Sequence, residues 1–229
     1  MNRVLSFALC CWLASTAIAT AQTGDAAAAI AGALGAFKPQ QQYRGEFVQV
    51  YTFTNPEASV EGRRTIVFGG RDRFFVEDHL PVHRLSYVSE QTRWTYAPEL
   101  HQYTQEPYHR SVDPIEITSL ERVAAMTPLD PSFLPDETLA VNGRAYRCRV
   151  LRAHYGFDAR AEAVTVTFYL DQGGTHLRRM VTLSPRGSVS LTILSLEIQP
   201  AIPDSEFHFI PPDDATRVAS LVWEHQVRE

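Results

Sequence analysis

The fold is decided by the stretch Gly45-Glu46-Phe47-Val48-Gln49-Val50-Tyr51-Thr52-Phe53. Successive side chains of a β-strand point to opposite faces, and this stretch alternates with that period of two. One face would carry Phe47, Gln49, Tyr51 and Phe53, and the other Val48, Val50 and Thr52. Neither face is wholly polar, so we expect both faces of this strand to be covered.

Similar strand patterns follow this stretch in both halves of the chain. They are Gly62–Phe68, Asp72–Glu77, Val82–Ser89, Gln91–Ala97, His101–Gln105, Thr138–Val141, Tyr146–Ala153, Val164–Asp171, His176–Leu183 and Ser188–Ile198. Turn signals separate them, and Asn142-Gly143 is the clearest hairpin signal. The sequence therefore predicts a mostly β fold, one antiparallel sheet of about ten strands with helical insertions.

Two helices interrupt the strands. Residues 25–37 are rich in alanine, and Ile30, Leu34 and Phe37 fall on one helical stripe. A second helix is predicted over residues 113–127, where Asp113-Pro114 starts it. The prolines Pro128, Pro131 and Pro135 would end it and form a rigid loop.

Residues 1–21 have the pattern of a secretory signal peptide. A basic Arg3 precedes an apolar run, and Ala19-Thr20-Ala21 is a typical cleavage site. A retained membrane anchor is the alternative interpretation. Cleavage would leave residues 22–229 as one domain in the periplasm with Cys148 as its single cysteine, which we expect to be a buried structural thiol.

Charge argues against nucleic acid as a partner. The net charge is −5 at pH 7, and the sequence contains no run of Lys or Arg. Proteins that bind nucleic acid or anionic membranes by electrostatics carry such basic patches. We therefore expect no nucleic-acid partner. We also expect the protein to be a monomer.

Two regions resemble the outer-membrane lipoprotein carrier (LolA) superfamily. The first runs from Arg73-Phe74-Phe75 through Trp94-Thr95-Tyr96-Ala97-Pro98 to His101-Gln102. The second includes Phe168-Tyr169-Leu170-Asp171, Leu177-Arg178-Arg179, Leu196 and Glu206-Phe207-His208-Phe209-Ile210-Pro211-Pro212. Residues 144–148 are more similar to an uncharacterised LolA-like branch. The resemblance covers most of residues 30–218.

This resemblance implies a curved, incomplete antiparallel β-barrel around a helix, with a helical lid over an apolar cavity. In the carriers an Arg, four residues before a Phe, helps to hold the lid shut. If Phe74 takes the Phe position, the Arg position is Gly70. The lid-latch Arg is thus not matched, although the lid itself would be the helix with Leu120, Val123 and Met126.

Aromatic residues at alternating positions are the candidates for lining that cavity. The candidate ligand-binding residues are seven aromatic residues and one leucine, namely Phe47, Phe53, Phe68, Phe74, Trp94, Tyr96, Phe168 and Leu196. An apolar lining binds acyl chains by removing apolar surface from water, at about 25 cal/mol per Å². A packed core is the alternative interpretation for each of these residues.

No motif of catalysis or of cofactor binding occurs in the sequence. His79 and His83 have the i, i+4 spacing of a helical metal site, but Pro81 lies between them and no third ligand is evident. We expect no catalytic residue, no metal and no cofactor. The interpretation is a periplasmic binding or carrier protein, not an enzyme, for a lipid, a lipoprotein acyl chain or another hydrophobic ligand. Membrane-bound donor and acceptor proteins would be its partners. The alternative is a periplasmic sensor that binds a partner protein or lipopeptide.

Overall fold

The alternating stretch around Phe47 lies in a twelve-residue strand, one of twelve strands in the part of the chain that the structure describes. This structure is a computed structural model, and it describes residues 24–38, 40–54, 56–70, 73–108, 118–156, 164–185, 187–198 and 201–221. The predicted signal peptide and the residues Asp113-Pro114 lie outside these ranges.

The strands and helices follow one another in this order. Helix α1 covers residues 24–33 and continues into a 3₁₀ helix, Leu34–Phe37. The strands before helix α2 (Thr118–Ala124) are β1 (Tyr43–Thr54), β2 (Glu57–Phe68), β3 (Phe74–Leu80), β4 (Arg84–Ser89), β5 (Thr92–Ala97) and β6 (Gln102–Pro107). The later strands are β7 (Leu129–Val141), β8 (Arg144–Tyr155), β9 (Val164–Asp171), β10 (Leu177–Ser184), β11 (Gly187–Ile198) and β12 (Thr216–Arg217). Two further 3₁₀ helices span Pro98–Leu100 and Asp204–Phe207.

The chain divides into two compact units. The smaller unit is Met1–Ala33 with Met126–Ser184, and the larger unit is Leu34–Ala125 with Pro185–Glu229. The prediction of a single domain over residues 22–229 stays a prediction. The predicted mostly β fold class with helical insertions is confirmed, with twelve strands in place of about ten.

In the larger unit the strand order is β12-β6-β5-β4-β3-β2-β1-β11. All neighbours are antiparallel except β12, which pairs in parallel with β6. The tight connections between consecutive strands explain this meander, because short turns can join antiparallel strands only.

In the smaller unit the strand order is β10-β9-β8-β7, all antiparallel. The predicted turn at Asn142-Gly143 joins β7 to β8, and both residues have the positive φ that such a turn requires, 49° and 72°. Cys148 on β8 is buried, as predicted, and burial raises the pKa of its thiol.

The predicted proline loop is wrong. Pro131 and Pro135 belong to β7, which begins at Leu129. The pairing of β7 with β8 shifts register between Leu129 and Ser132 and again between Leu134 and Glu137. Proline lacks the N–H that a regular ladder uses, but it is tolerated at bulges and on edge strands such as this one.

Candidate functional site

The strand register of the larger unit defines one buried face of its sheet, which we call the core face. Across the strands, Tyr43 pairs with Phe68, Phe68 with Phe74, and Phe74 with Val88. Directly paired residues lie on the same face of a sheet. These side chains are almost wholly buried. Phe47, four residues after Tyr43 on the same face of β1, is also buried.

The predicted cavity residues do not all come together. Phe47, Phe68 and Phe74 lie buried on the core face. Leu196 is half-buried on this face beside Gly45, and Phe53 lies at its far end, 46% exposed.

Trp94 and Tyr96 lie on the opposite face of the same sheet, the outer face. Trp94 pairs with Tyr87, whereas the core-face residue Val88 pairs with Arg93. A one-residue offset reverses the direction of a strand side chain. Trp94 and Tyr96 therefore cannot line a cavity on the core face together with Phe68.

Phe168 belongs to the smaller unit. It is wholly buried on β9, and its ring meets that of Tyr155 edge to face, with centroids 6.2 Å apart. Burial raises the pKa of Tyr155 to about 12.

Helical residues cover one end of the core face. The ring of Phe37 contacts that of Tyr43 at 5.4 Å, and helix α2 packs against the 3₁₀ helix Leu34–Phe37. Of the predicted lid residues, Leu120 and Val123 on α2 are buried, and Met126 is half-buried beyond its end. The role of α2 as a lid stays a prediction.

The other end of the core face opens into a pocket, which we call the hairpin pocket. Its volume is about 200 Å³. Tyr51 and Val60 form one wall, and Leu80, Pro81 and Val82 form another. Val60, Leu80 and Val82 are 42%, 51% and 38% exposed. A considerable part of each of these apolar side chains is therefore in contact with solvent. Along β1, Tyr51 lies eight residues beyond Tyr43, or roughly 26 Å at about 3.3 Å per residue.

Three charged side chains also line the hairpin pocket. Asp78 is buried between Arg64, which is 11% exposed as a side chain, and Arg84, which is 29% exposed. Arg84 donates to Asp78 Oδ2 from both Nε, at 3.0 Å, and Nη2, at 2.6 Å. Arg64 Nη2 lies 3.0 Å from Asp78 Oδ1 without the alignment of a hydrogen bond.

This cluster is incompletely satisfied. Among the described residues, Arg64 Nε and Asp78 Oδ1 are buried and have no hydrogen-bond partner. The guanidinium groups of Arg64 and Arg84 both face the carboxylate of Asp78. Buried polar atoms are nearly always hydrogen-bonded in folded proteins, so these two unpaired atoms carry an energetic cost.

Sequence reasoning missed this cluster, although each strand contains a signal. Arg64 points to the same face of β2 as Ile66 and Phe68, because the three alternate along the strand. It therefore places a charge within an apolar stripe. Asp78 likewise points to the same face of β3 as Phe74 and Val76. Charged residues at inward-facing positions are rare unless they are paired or functional.

The histidine pair does not lie on a helix, because His79 is on β3 and His83 is in the connection between β3 and β4. His83 Nε2 is 2.9 Å from Glu77 Oε1, and His79 Nε2 is 2.9 Å from Thr65 Oγ1. Within the described ranges, no group of three or more His, Cys, Asp or Glu side chains could hold a metal ion.

Asp171 lies at the turn after β9. Its carboxylate accepts hydrogen bonds from the backbone N–H groups of Thr175 and His176. Burial acts to raise the pKa of Asp171, but the backbone and side-chain hydrogen bonds of His176, with that of Thr175, outweigh it and lower the pKa. This carboxylate is therefore an ionised turn residue.

The C-terminal motif around Phe207 and Phe209 covers the outer face of the larger unit. Phe207 is buried with Val67 and Ile202. The ring of Phe209 lies 5.4–5.8 Å from three tyrosine rings of β4, β5 and β6, namely Tyr87, Tyr96 and Tyr103. The half-buried predicted site residue Tyr96 thus packs against the chain itself.

No helix within the described ranges is both long enough and apolar enough to cross a membrane.

No protein-family description matches the sequence, and no curated protein sequence matches it. Solved structures similar to the chain include the LolA superfamily protein NE2245 from Nitrosomonas europaea, which is 13% identical with a TM-score of 0.42 and covers 80% of this chain and 97% of that one. LprF from Mycobacterium bovis is 13% identical with a TM-score of 0.46 and covers 85% and 99%. An uncharacterized conserved protein from Thermus thermophilus is 12% identical with a TM-score of 0.45 and covers 78% and 91%. The resemblance to the LolA superfamily that the motifs indicate stays a prediction.

Proposed function

We propose that this protein binds a hydrophobic ligand without transforming it, and that the hairpin pocket holds one end of that ligand. The signal-peptide pattern of residues 1–21 supports a periplasmic location. Carriage of a lipid or a lipoprotein acyl chain between membrane-bound partners is the more specific form of this proposal.

The observation that carries the proposal is the exposed apolar end of the core face. Val60, Leu80 and Val82 each expose a third or more of their surface around one concave site. Exposed apolar groups scattered singly are ordinary, but apolar groups gathered in a pocket are typical of ligand-binding sites. An acyl chain seated there would remove this surface from water.

The size of the hairpin pocket limits what it encloses. Its volume of about 200 Å³ is below the roughly 300–1,000 Å³ of pockets that enclose a drug-sized ligand. A long acyl chain would therefore extend beyond the pocket, along the surface that continues toward Phe53 on the same face.

Binding of a fluorescent fatty acid to the full mature chain tests this proposal. Leu80→Ser should weaken binding about fivefold, because the ligand loses about half of the roughly 1.5–3 kcal/mol that a fully buried leucine supplies. Leu100→Ser is the matched control, since Leu100 is 40% exposed but does not line the pocket. Equal affinity in both variants, or no binding by the unaltered protein, would contradict the proposal.

Native mass spectrometry of protein purified from the periplasm would address the alternative function. Co-purified acyl species would support a binding or carrier protein. A protein that is consistently free of small ligands, but bound to one partner protein in fixed stoichiometry, would support the sensor instead.

A further inference from the structure

We propose that a second pocket in the larger unit binds a primary ammonium group, with the carboxylate of Glu206 and the rings of Phe75 and Tyr87 as its main contacts. We call it the outer pocket, because its floor lies on the outer face of the sheet. The hairpin pocket lies on the core face, so this inference goes beyond the proposed function and does not depend on it.

The outer pocket is built from two strands and from the chain segment that covers them. Phe75 on β3 pairs directly with Tyr87 on β4, and their ring centroids are 4.7 Å apart. Ser205, Glu206 and His208 form the rim, and the volume of the pocket is about 290 Å³. This volume is near the lower limit of roughly 300 Å³ for pockets that bind small molecules. The pocket therefore suits one small functional group.

Contacts with the sheet hold the rim in place. Arg44 Nη2 lies 2.9 Å from Glu206 Oε2, and Arg73 forms an ion pair with Asp204 on the same 3₁₀ helix. Phe207, at the end of that helix, is buried. The rim is thus anchored at three points, which reduces the cost of ordering it when a ligand binds.

The polar groups of the rim are acceptors or hydroxyl groups. His208 Nδ1 lies 2.8 Å from the carbonyl oxygen of Asp204. A carbonyl can only accept, so Nδ1 donates, and Nε2 of the neutral imidazole is an acceptor. The carboxylate of Glu206 only accepts, and the hydroxyl of Ser205 can accept as well. Among the described residues, no Lys or Arg lines the outer pocket, so the charged donors that an anion would need are not part of its lining.

The charge of the site includes Arg44, which pairs with Glu206 beside the pocket. The two side chains are 42% and 37% exposed, so water screens this pair. Burial raises the pKa of Tyr87, and the negative charges of Glu77 and Glu206 raise it further. Charges that disfavour a phenolate favour a cation at the same position.

The aromatic floor favours an organic cation. The face of an aromatic ring attracts an ammonium group within about 6 Å of its centroid. A primary ammonium also has three N–H donors, which match the carboxylate, imidazole and hydroxyl acceptors of the rim. One carboxylate and one imidazole of the described residues line the pocket, fewer than the three or four side-chain ligands of a typical zinc site. A primary ammonium group therefore fits this lining better than a metal ion does.

An NMR titration of the full mature protein tests the inference at mildly alkaline pH, where an ordinary imidazole is neutral. The compounds are pentylamine, pentanol and pentanoate, which share one chain and differ in the end group, together with N-acetyl-lysine amide. Affinities are read from the signals of residues 205–208, because the apolar chain can also enter the hairpin pocket. Pentylamine should bind at least about fivefold more tightly than pentanol, because a hydrogen bond from a charged donor is the stronger one. Pentanoate should bind more weakly than pentanol.

Glu206→Gln should remove the preference for pentylamine over pentanol, because it keeps the shape of the side chain and removes its charge. Glu206→Asp should keep part of the preference, since it retains a carboxylate. Asp204→Asn is the matched control, because Asp204 is on the same 3₁₀ helix and pairs with Arg73 but does not line the outer pocket. It should preserve the preference.

Two results would overturn the inference. One is equal affinity for pentylamine and pentanol at residues 205–208 of the unaltered protein. The other is a preference that survives in Glu206→Gln, or one that Asp204→Asn removes equally. If Glu206→Gln does not fold, the comparison of compounds in the unaltered protein and in Glu206→Asp decides.

The fourth compound identifies the source of the ammonium group. N-acetyl-lysine amide carries the ammonium group of a lysine side chain next to peptide groups. Its tighter binding would indicate a lysine of a peptide, and tighter binding of pentylamine would indicate a free amine; either result supports the inference. None of these measurements concerns the hairpin pocket, so the proposed function stands or falls separately.

Discussion

Replacing Asp78 by asparagine should destabilise the larger unit more than any comparable change at an exposed ion pair. The substitution keeps the shape of the side chain and removes its charge. Arg64 and Arg84, which are 11% and 29% exposed as side chains, would then lose the carboxylate charge that both of them contact. Removal of one partner from a buried ion pair typically costs about 3–5 kcal/mol.

The lower end of that range applies here. Water reaches Arg84 and screens part of the repulsion, so we expect Asp78→Asn to lower the free energy of unfolding by about 3 kcal/mol. Urea unfolding followed by tryptophan fluorescence would measure the change. With a slope of about 1–3 kcal/mol per molar urea, the midpoint should fall by roughly 1–3 M at constant slope.

Glu46→Gln is the matched control for this experiment. Glu46 pairs with Arg63 at 3.0 Å in the same sheet, but the two side chains are 45% and 51% exposed. Surface pairs of this kind contribute about 0.2–1 kcal/mol, so its midpoint should hardly move. The double variant with Arg64→Met should be more stable than Asp78→Asn alone, because it removes the more deeply buried of the two charges that lose Asp78. The reasoning is refuted if Asp78→Asn costs no more than Glu46→Gln, or if Arg64→Met adds to its cost.

Two further predictions concern packing and titration outside the pocket. Gly69→Ala should destabilise the protein by about 1–3 kcal/mol, because its added Cβ would collide with the ring of Phe207. Gly32→Ala meets open space in helix α1 and should stabilise the protein by about 0.5–1 kcal/mol, so the urea midpoints of the two variants should move in opposite directions. The pKa of Tyr155 is raised from 10.0 to about 12, so the stability supplied by its neutral form should be complete below pH 10 and lost as the pH rises toward 12. Alkaline titration of tyrosine absorbance should show a last component that Tyr155→Phe removes, and an unchanged titration of that variant would contradict the assignment.

The pattern of single strands could be predicted from the sequence because it depends on local periodicity. The alternation around Phe47 predicts β1, and the Asn142-Gly143 turn predicts the β7–β8 hairpin, both of which the structure contains. The prediction was wrong at β7. Pro131 and Pro135 are incompatible with a regular central strand, but they are tolerated in a bulged edge strand.

The assignment of residues to one site failed where it depended on pairing between strands. Alternation shows that Trp94 and Tyr96 share a face with each other, but only the register of β4 with β5 shows that this face is opposite to that of Phe74. Register is set by turn geometry and by the whole buried face, neither of which a single segment contains.

The charged cluster depends on the same kind of information. Arg64 and Asp78 continue the β2–β3 register that includes Phe68 and Phe74, and the register shifts only beyond them, between Arg64 and Arg63. No pattern within either strand contains that register. The alternation within each strand can therefore show that Arg64 and Asp78 point inward, but it cannot show that the two side chains contact each other.

The composition of this cluster bears on why it exists. A buried ion pair contributes little net stability compared with apolar residues of similar volume, because desolvation offsets the attraction. A neutral pair could still fix the register of β2 and β3, and Asp78 with one arginine would suffice for that. A second arginine, whose buried Nε has no hydrogen-bond partner among the described residues, adds an energetic cost that register alone does not require.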